Sequence, residues 1–427
     1  MKKLMIAALV SAACCSSALA ANIAIVGGKV HTQTEQGVID NATVFIKDGK
    51  IERISQSSDI PSNYERIDAN GKVVTPGLVG AMTSLGLVEV ASWAGIVDAS
   101  VNNARISNTG AAFDVSYAIN PDSTLMDVSR LEGITSAATT LSNTDHLFQG
   151  QGSIISVGAE APLLKPRAFI VLDVSASAAK NSGGSRASLW VTLQYLFDEA
   201  KTLADIPTPG DTWQGLNTRA DLSVLKKVLA GDIPLVMEAN RKSDILQILS
   251  FKDRYPQTDI VLMGGAQAWR VADQLAKANI PVIINPEMNL PSSFDVLGAS
   301  MENAARLETA GVTLAIGMET HNIRLATQHA GNAVANGLSH EAALASLTSN
   351  PARIFGVQDS VGSLRNGARA DVVIWSGDPL EVTEYAEQVF VNGEAVEMRS
   401  RQTDLRDRYM NYQNDDSTPP QYIEPNQ

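Results

Sequence analysis

The sequence predicts an α/β fold: a (β/α)8 barrel of the TIM type with a small composite β-sandwich domain formed by the N- and C-terminal segments. Three observations support this. The 427 residues are 44% hydrophobic and 19% charged, a globular composition long enough for a barrel plus a smaller domain. From about 76 to 360, apolar strands alternate with helix-period segments in units of roughly 20–40 residues, which favours an eight-stranded barrel. Strand-rich stretches with turn signals lie on either side of that middle.

In chain order, residues 1–20 read as an export signal. Lys2 and Lys3 precede an apolar run from Leu4 to Ala13, and Ala18-Leu19-Ala20 is a small-x-small cleavage site. The run is about ten residues, too short for the ~20 a spanning helix needs. Both cysteines, Cys14 and Cys15, fall inside the signal, so cleavage after Ala20 leaves a mature chain without disulfide or thiolate. The expected location is the periplasm. The alternative, a lipid-anchored Cys14, is disfavoured by Ser11, where such sites prefer a larger apolar residue.

Residues 21–75 read as the first part of the β-domain, with Ile23–Val26, Thr43–Ile46 and Ile51–Ile54 as strands. Lys47-Asp48-Gly49-Lys50 is a hairpin turn. Residues 76–360 read as the barrel. Its strand candidates include 168–173, 234–239, 259–263, 281–285 and 312–317; its helix candidates include 188–203, 242–255, 268–278, 303–310, 322–336 and 340–349. Residues 361–400 read as the second part of the β-domain, with strands at 371–375 and 389–394. Residues 401–427 form a polar tail expected to be loosely ordered.

A net charge of −13 argues against nucleic acid and anionic membrane as partners. No nucleophile elbow, phosphate-binding loop or dinucleotide fingerprint occurs.

Gly-Lys-Ile at 49–51, Gly-Lys-Val-Val-Thr-Pro-Gly-Leu-Val at 71–79 and Leu-Thr-Ser-Asn-Pro-Ala-Arg-Ile-Phe-Gly at 347–356 form a recognisable set with Val-Gly-Ser-Leu-Arg-Asn-Gly-Ala-Arg-Ala-Asp-Val-Val-Ile-Trp at 361–375 and Gly-Asp-Pro-Leu at 377–380. The set resembles the landmarks of the amidohydrolase superfamily, particularly its imidazolonepropionase-like branch. The resemblance implies a metal at the strand ends, held by two histidines on strand 1, Lys or Glu on strand 4, histidines on strands 5 and 6, and aspartate on strand 8. In this chain Met82 and Ser84 stand at the strand 1 histidine positions, and Gly80 at the aspartate before them. Glu238 falls at the strand 5 position, Gly264 at the strand 6 position and Glu319 at the strand 8 position. A catalytic Zn²⁺ wants about three N, O or S ligands plus a water. Met is a poor Zn²⁺ ligand and Gly offers no side chain, so no metal ligands and no cofactor are assigned. Lys180, near the site of a modified metal-bridging lysine in some relatives, is discounted for the same reason.

His321, Glu238 and Glu319 are the candidate catalytic group, with His321 as acid/base or donor tuned by a carboxylate. The plain alternative makes His321 a loop or capping residue. Asn240, Arg241, Asn322, Arg324, Arg186 and His146 are candidate substrate-binding residues on the rim, although Asn322 also fits an N-cap and Ser185-Arg186 a helix start. His329 and His340 read as surface or capping residues, and His31 as a β-domain residue far from any barrel chemistry.

Two functions remain open. One is a small-molecule-binding or accessory protein without family-type metal hydrolysis. The other is a hydrolase of amide or cyclic-amide C–N bonds using a reorganised site, with Zn as a cofactor only in that case. A homo-oligomer or a histidine-complete paralogue is the candidate partner.

Overall fold

Nine residues with mostly buried apolar positions, Ile23–His31, form β1. Val38–Lys47 (β2) pairs with it antiparallel, and Lys50–Ser55 (β3) returns along β2. In the β2–β3 turn, Asp48 and Gly49 both have positive φ, 50° and 72°, the backbone a two-residue hairpin demands. Glu65–Asp68 (β4) and Val73–Pro76 (β5) both pair parallel to β1. The computed structural model describes residues 22–57, 59–90, 98–102, 106–158, 162–288, 290–317 and 322–412. The expected export signal, Cys14 and Cys15 lie outside these residues.

The barrel strands follow: Leu78–Thr83 (β6), Ile134–Thr139 (β7), Phe148–Ser156 (β8), Leu163–Asp173 (β9), Leu235–Ala239 (β10), Ile260–Gly264 (β11), Val282–Ile284 (β12) and Leu314–Ile316 (β13). They form one eight-stranded sheet in chain order. The sheet is nearly closed: a Cβ added at Gly317, just past β13, would lie 3.0 Å from Ala81 Cβ in β6.

One strand departs from the expected parallel alternation. β8 runs antiparallel to both β7 and β9, whereas the other neighbours are parallel. The connections at 140–147 and 157–162 explain it, since a parallel crossover needs about a dozen residues or more.

The helices are Thr124–Leu131 (α1), Ala176–Asn181 (α2), Arg186–Thr202 (α3), Arg219–Ala230 (α4), Lys242–Arg254 (α5), Ala272–Lys277 (α6), Asn303–Thr309 (α7), Ala326–Ala335 (α8), His340–Leu347 (α9) and Ser349–Ile354 (α10). The strands alternate as their sequence predicts. Ile170, Leu172, Leu235, Met237, Ile260 and Leu262 face the helices. Val171, Val236, Val261, Met263, Ile283 and Ala315 pack with Phe169 and Phe355 in a separate interior cluster. The Phe169 and Phe355 ring centroids are 4.7 Å apart. Gly152 makes this possible, because a Cβ there would stand 2.1 Å from the Phe169 ring.

Val372–Trp375 (β14), Ala386–Val391 (β15) and Glu394–Ala395 (β16) bring the chain back to the first domain, where β14 pairs antiparallel with β5. The composite β-domain is thus one eight-stranded sheet drawn from both ends of the chain. Its core includes Ile25, Val44, Ile46, Val74, Val372, Ile374 and Phe390.

Arg401–Tyr412 forms a helix (α11) where loose order is expected. Reciprocal hydrogen bonds start it: Ser400 N–H donates to Thr403 Oγ1 (2.8 Å) and Thr403 N–H to Ser400 Oγ (3.2 Å). No helix among the described residues is long and apolar enough to cross a membrane.

Candidate functional site at the barrel mouth

The interior layer of Val171, Val236, Met263, Ile283 and Ala315 makes the floor beneath the C-terminal ends of the parallel strands. Two residues beyond Val171, Val236, Ile283 and Ala315, alternation turns Asp173, Glu238, Asn285 and Gly317 toward the same space. Asp173 on β9 and Glu238 on β10 are register partners, so two carboxylates stand on adjacent strands.

Burial pushes the Asp173 carboxyl above the usual range, opposed by hydrogen bonds from Ser175 and Ala178 and by the charge of Arg186. Its Oδ1 accepts the Ser175 N–H at 2.7 Å, so it also starts α2. The backbone N–H of Asp173 donates to Leu147 O (3.2 Å), which brings the His146–Leu147 loop to this rim. Asn285 closes an Asx turn on Glu287 N–H at 3.0 Å.

The predicted residues distribute unevenly. Glu238 faces the mouth, whereas Glu319 and His321 lie outside the described residues. Among the described residues no group of three or more His, Cys, Asp or Glu is placed to hold a metal. His146 stacks edge-on against Phe113 at 5.0 Å, and its Nδ1 lies 3.4 Å from Asn108 O. Its Nε2 is buried without a hydrogen bond among the described residues.

Asn240 Oδ1 accepts from Ala266 N–H (3.2 Å), fastening the β10 and β11 loops together. Arg186 sits between two carboxylates, with Nε 2.9 Å from Asp244 and Nη2 2.7 Å from Asp295. It therefore clamps the rim instead of awaiting a substrate anion. Arg241 reaches the same Asp295 at 3.9 Å. Burial pushes the Glu132 carboxyl up, and the positive charge of Arg324 opposes that shift. Its neighbour Ile323 packs against Gly80 on the helix-facing side, so this segment is drawn to the outside of the barrel wall. Asn322 opens the short turn before α8 without a side-chain cap to it. His329 is buried 3.1 Å from Glu287, and burial lowers its pKa against the pull of that carboxylate.

Comparison with known proteins fits this geometry. The Amidohydrolase family model matches residues 254–396. An amidohydrolase structure from Thermotoga maritima MSB8 superposes with a TM-score of 0.77 at 25% identity, covering 88% of this chain and 100% of that one. The chain belongs to the amidohydrolase superfamily. An imidazolonepropionase from Staphylococcus aureus (strain JH9) is 53% identical over 51 residues, 12% of this chain and 12% of that protein. Amidohydrolase tasK of Hapsidospora irregularis is 42% identical over 59 residues, 14% of this chain and 6% of that protein. The matched stretches thus span a small part of those relatives.

At three positions where the resemblance expects metal ligands or their neighbours, the chain carries Met82, Ser84 and Gly264. Met82 is fully buried in the interior cluster, and Ser84 is 3% exposed. Gly264 has φ of +86°, and a Cβ there would stand 2.8 Å from Asn240 Oδ1.

Proposed function

We propose that this amidohydrolase-superfamily chain is an exported protein that binds a small molecule at the barrel mouth without the family's metal-dependent hydrolysis. The observation that carries the reading is the packing of the superfamily's ligand positions, with Met82 in the apolar interior and Asn240 in the space beside Gly264. What the mouth offers instead is acceptors. Asp173, Glu238 and Asn285 suit a neutral or cationic ligand bearing N–H donors, such as an amide.

Metal content of protein purified without an affinity tag tests this. The expected result is no stoichiometric Zn²⁺, Mn²⁺ or Ni²⁺; a full equivalent of any of them, removed together with ligand binding by chelation, would overturn the proposal. Export is tested on the mature N-terminus, expected at Ala21; a lipid-modified Cys14 would replace the periplasmic reading with a membrane-anchored one. A homo-oligomer or a complex with a histidine-complete paralogue is an arrangement in which such a chain would serve as an accessory subunit.

A second reading rests on Asp173. A carboxyl whose burial favours its neutral form, standing beside a second carboxylate, is an arrangement of the kind that proton transfer uses. In that case the protein cleaves amide or cyclic-amide C–N bonds, and Asp173→Asn abolishes turnover while ligand binding persists.

A further inference from the structure

A cleft of about 840 Å³ lies on the opposite face of the barrel, where the parallel strands begin and the β-domain docks. Its barrel wall comprises Arg130 near the end of α1, Gly158 beyond β8 and Leu163 at the start of β9. The Phe169–Phe355 pair fills the barrel between this cleft and the mouth. A volume of this size is that of a small-molecule site.

Two guanidinium groups make the cleft floor. Arg130 Nη1 donates to Val157 O (3.0 Å) and Arg369 Nη2 to Ser156 Oγ (2.6 Å), so consecutive residues hold the two cations side by side. Their side chains are only 18% and 13% exposed. Asp127 pairs with Arg130, and Asp371 Oδ1 lies 3.0 Å from Arg369 Nε. Even so, Arg130 Nε is buried and makes no hydrogen bond among the described residues. The rim carries both signs: Glu394 and Glu397, both exposed, stand on the β16 side, and the exposed Lys50 and Arg399 line the same cleft. Floor and rim thus both present paired charges of opposite sign, an arrangement that suits a ligand carrying both signs better than a simple ion.

We propose that this cleft binds a small zwitterion, with its carboxylate on Arg130 and Arg369 and its ammonium toward Glu394 and Glu397. The carboxylate is received by charge-assisted hydrogen bonds of the guanidinium type, and the apolar body lies along Leu163 and Val391.

The test is calorimetric titration and thermal denaturation at neutral pH with three probes: L-leucine, N-acetyl-L-leucine and L-leucinamide. Leucine is expected to raise Tm and to bind at least tenfold tighter than either derivative. Arg130→Gln is expected to lose leucine binding by tenfold or more. Should that variant fail to fold, the exposed double change Glu394→Gln/Glu397→Gln decides, because it should erase the preference for leucine over N-acetyl-L-leucine. Glu238→Gln, at the mouth, should leave leucine binding unchanged. Equal binding of all three probes, no binding of leucine, or loss of binding in Glu238→Gln would overturn the proposal.

Discussion

Asp173 shows what a single buried carboxyl does to stability. Burial raises its pKa, so the stability it contributes is present at low pH and is lost as pH rises through that raised value. Asp173→Asn removes the ionisable group while keeping the oxygen that accepts from Ser175 N–H. The variant should unfold at an equal or higher Tm at pH 7 by calorimetry. His31 behaves in the opposite sense. Burial first, then Lys29 and His340, lower its pKa to about 4, against the pull of Asp378 and Asp40. A histidine kept neutral in the fold is protonated first in the unfolded chain, so stability falls as pH drops from about 6.5 toward 4. The full effect is about 3 kcal/mol before solvent screening reduces it. Urea unfolding across that range should show it, and His31→Phe should flatten the profile. The strand position of Glu238 was legible because the apolar run at 234–239 reads plainly as a barrel strand. Asp173 was not: it reads as the last residue of an apolar strand, and only the two-residue alternation from Val171 reveals that it faces the mouth.

At the level of elements, a buried acid anchors the long segment after β6. Asp221 in the first turn of α4 is fully buried and accepts from Ser107 Oγ, from Ala112 N–H at 3.1 Å, and from Thr218 N–H and Oγ1 at 3.3 and 2.9 Å. It forms a capping box with Thr218 and joins α4 to the 107–112 segment. Asp221→Ala strands those donors and should cost roughly 3 kcal/mol, with faster proteolysis near residue 107 as the local readout. Inside the barrel, Phe169→Ala leaves a void over Gly152 and should cost about 3–5 kcal/mol in chemical denaturation. The strands β9 to β13 were legible from their apolar runs, whereas β7 and β8 were not among the expected strands. The reversed direction of β8 was not legible either, because Gln149, Gly150, Gln151 and Gly152 carry no strand-like hydrophobic pattern, and only the short connections on either side constrain its sense. The α11 helix was hidden for a related reason: its composition is polar, and its start depends on the local Ser400–Thr403 exchange.

Across the whole molecule, Arg186 ties together parts of the chain that the sequence keeps far apart. It joins Asp244 of α5 to Asp295 in the loop after β12, and Ala176 N–H adds a 3.1 Å hydrogen bond to the same Asp295. Removing the cation leaves Asp244 and Asp295 in partly dry surroundings, so Arg186→Met should destabilise by about 3–5 kcal/mol. Hydrogen exchange at residues 290–300 should quicken in step, since that loop loses its tether. The architecture as a whole was legible from the landmarks that bracket the barrel, whereas the clamp was not, since ion pairs between distant loops leave no local pattern. The antiparallel run of β7, β8 and β9 carries a consequence for how the molecule assembles. Those three strands meet through short connections, so their pairing needs little loop-closure entropy, while β6 and β13 must be brought together across more than two hundred residues. Folding should begin with the meander and finish at the seam, leaving amides of β7 and β8 protected earliest after dilution from denaturant and those flanking Ala81 and Gly317 last.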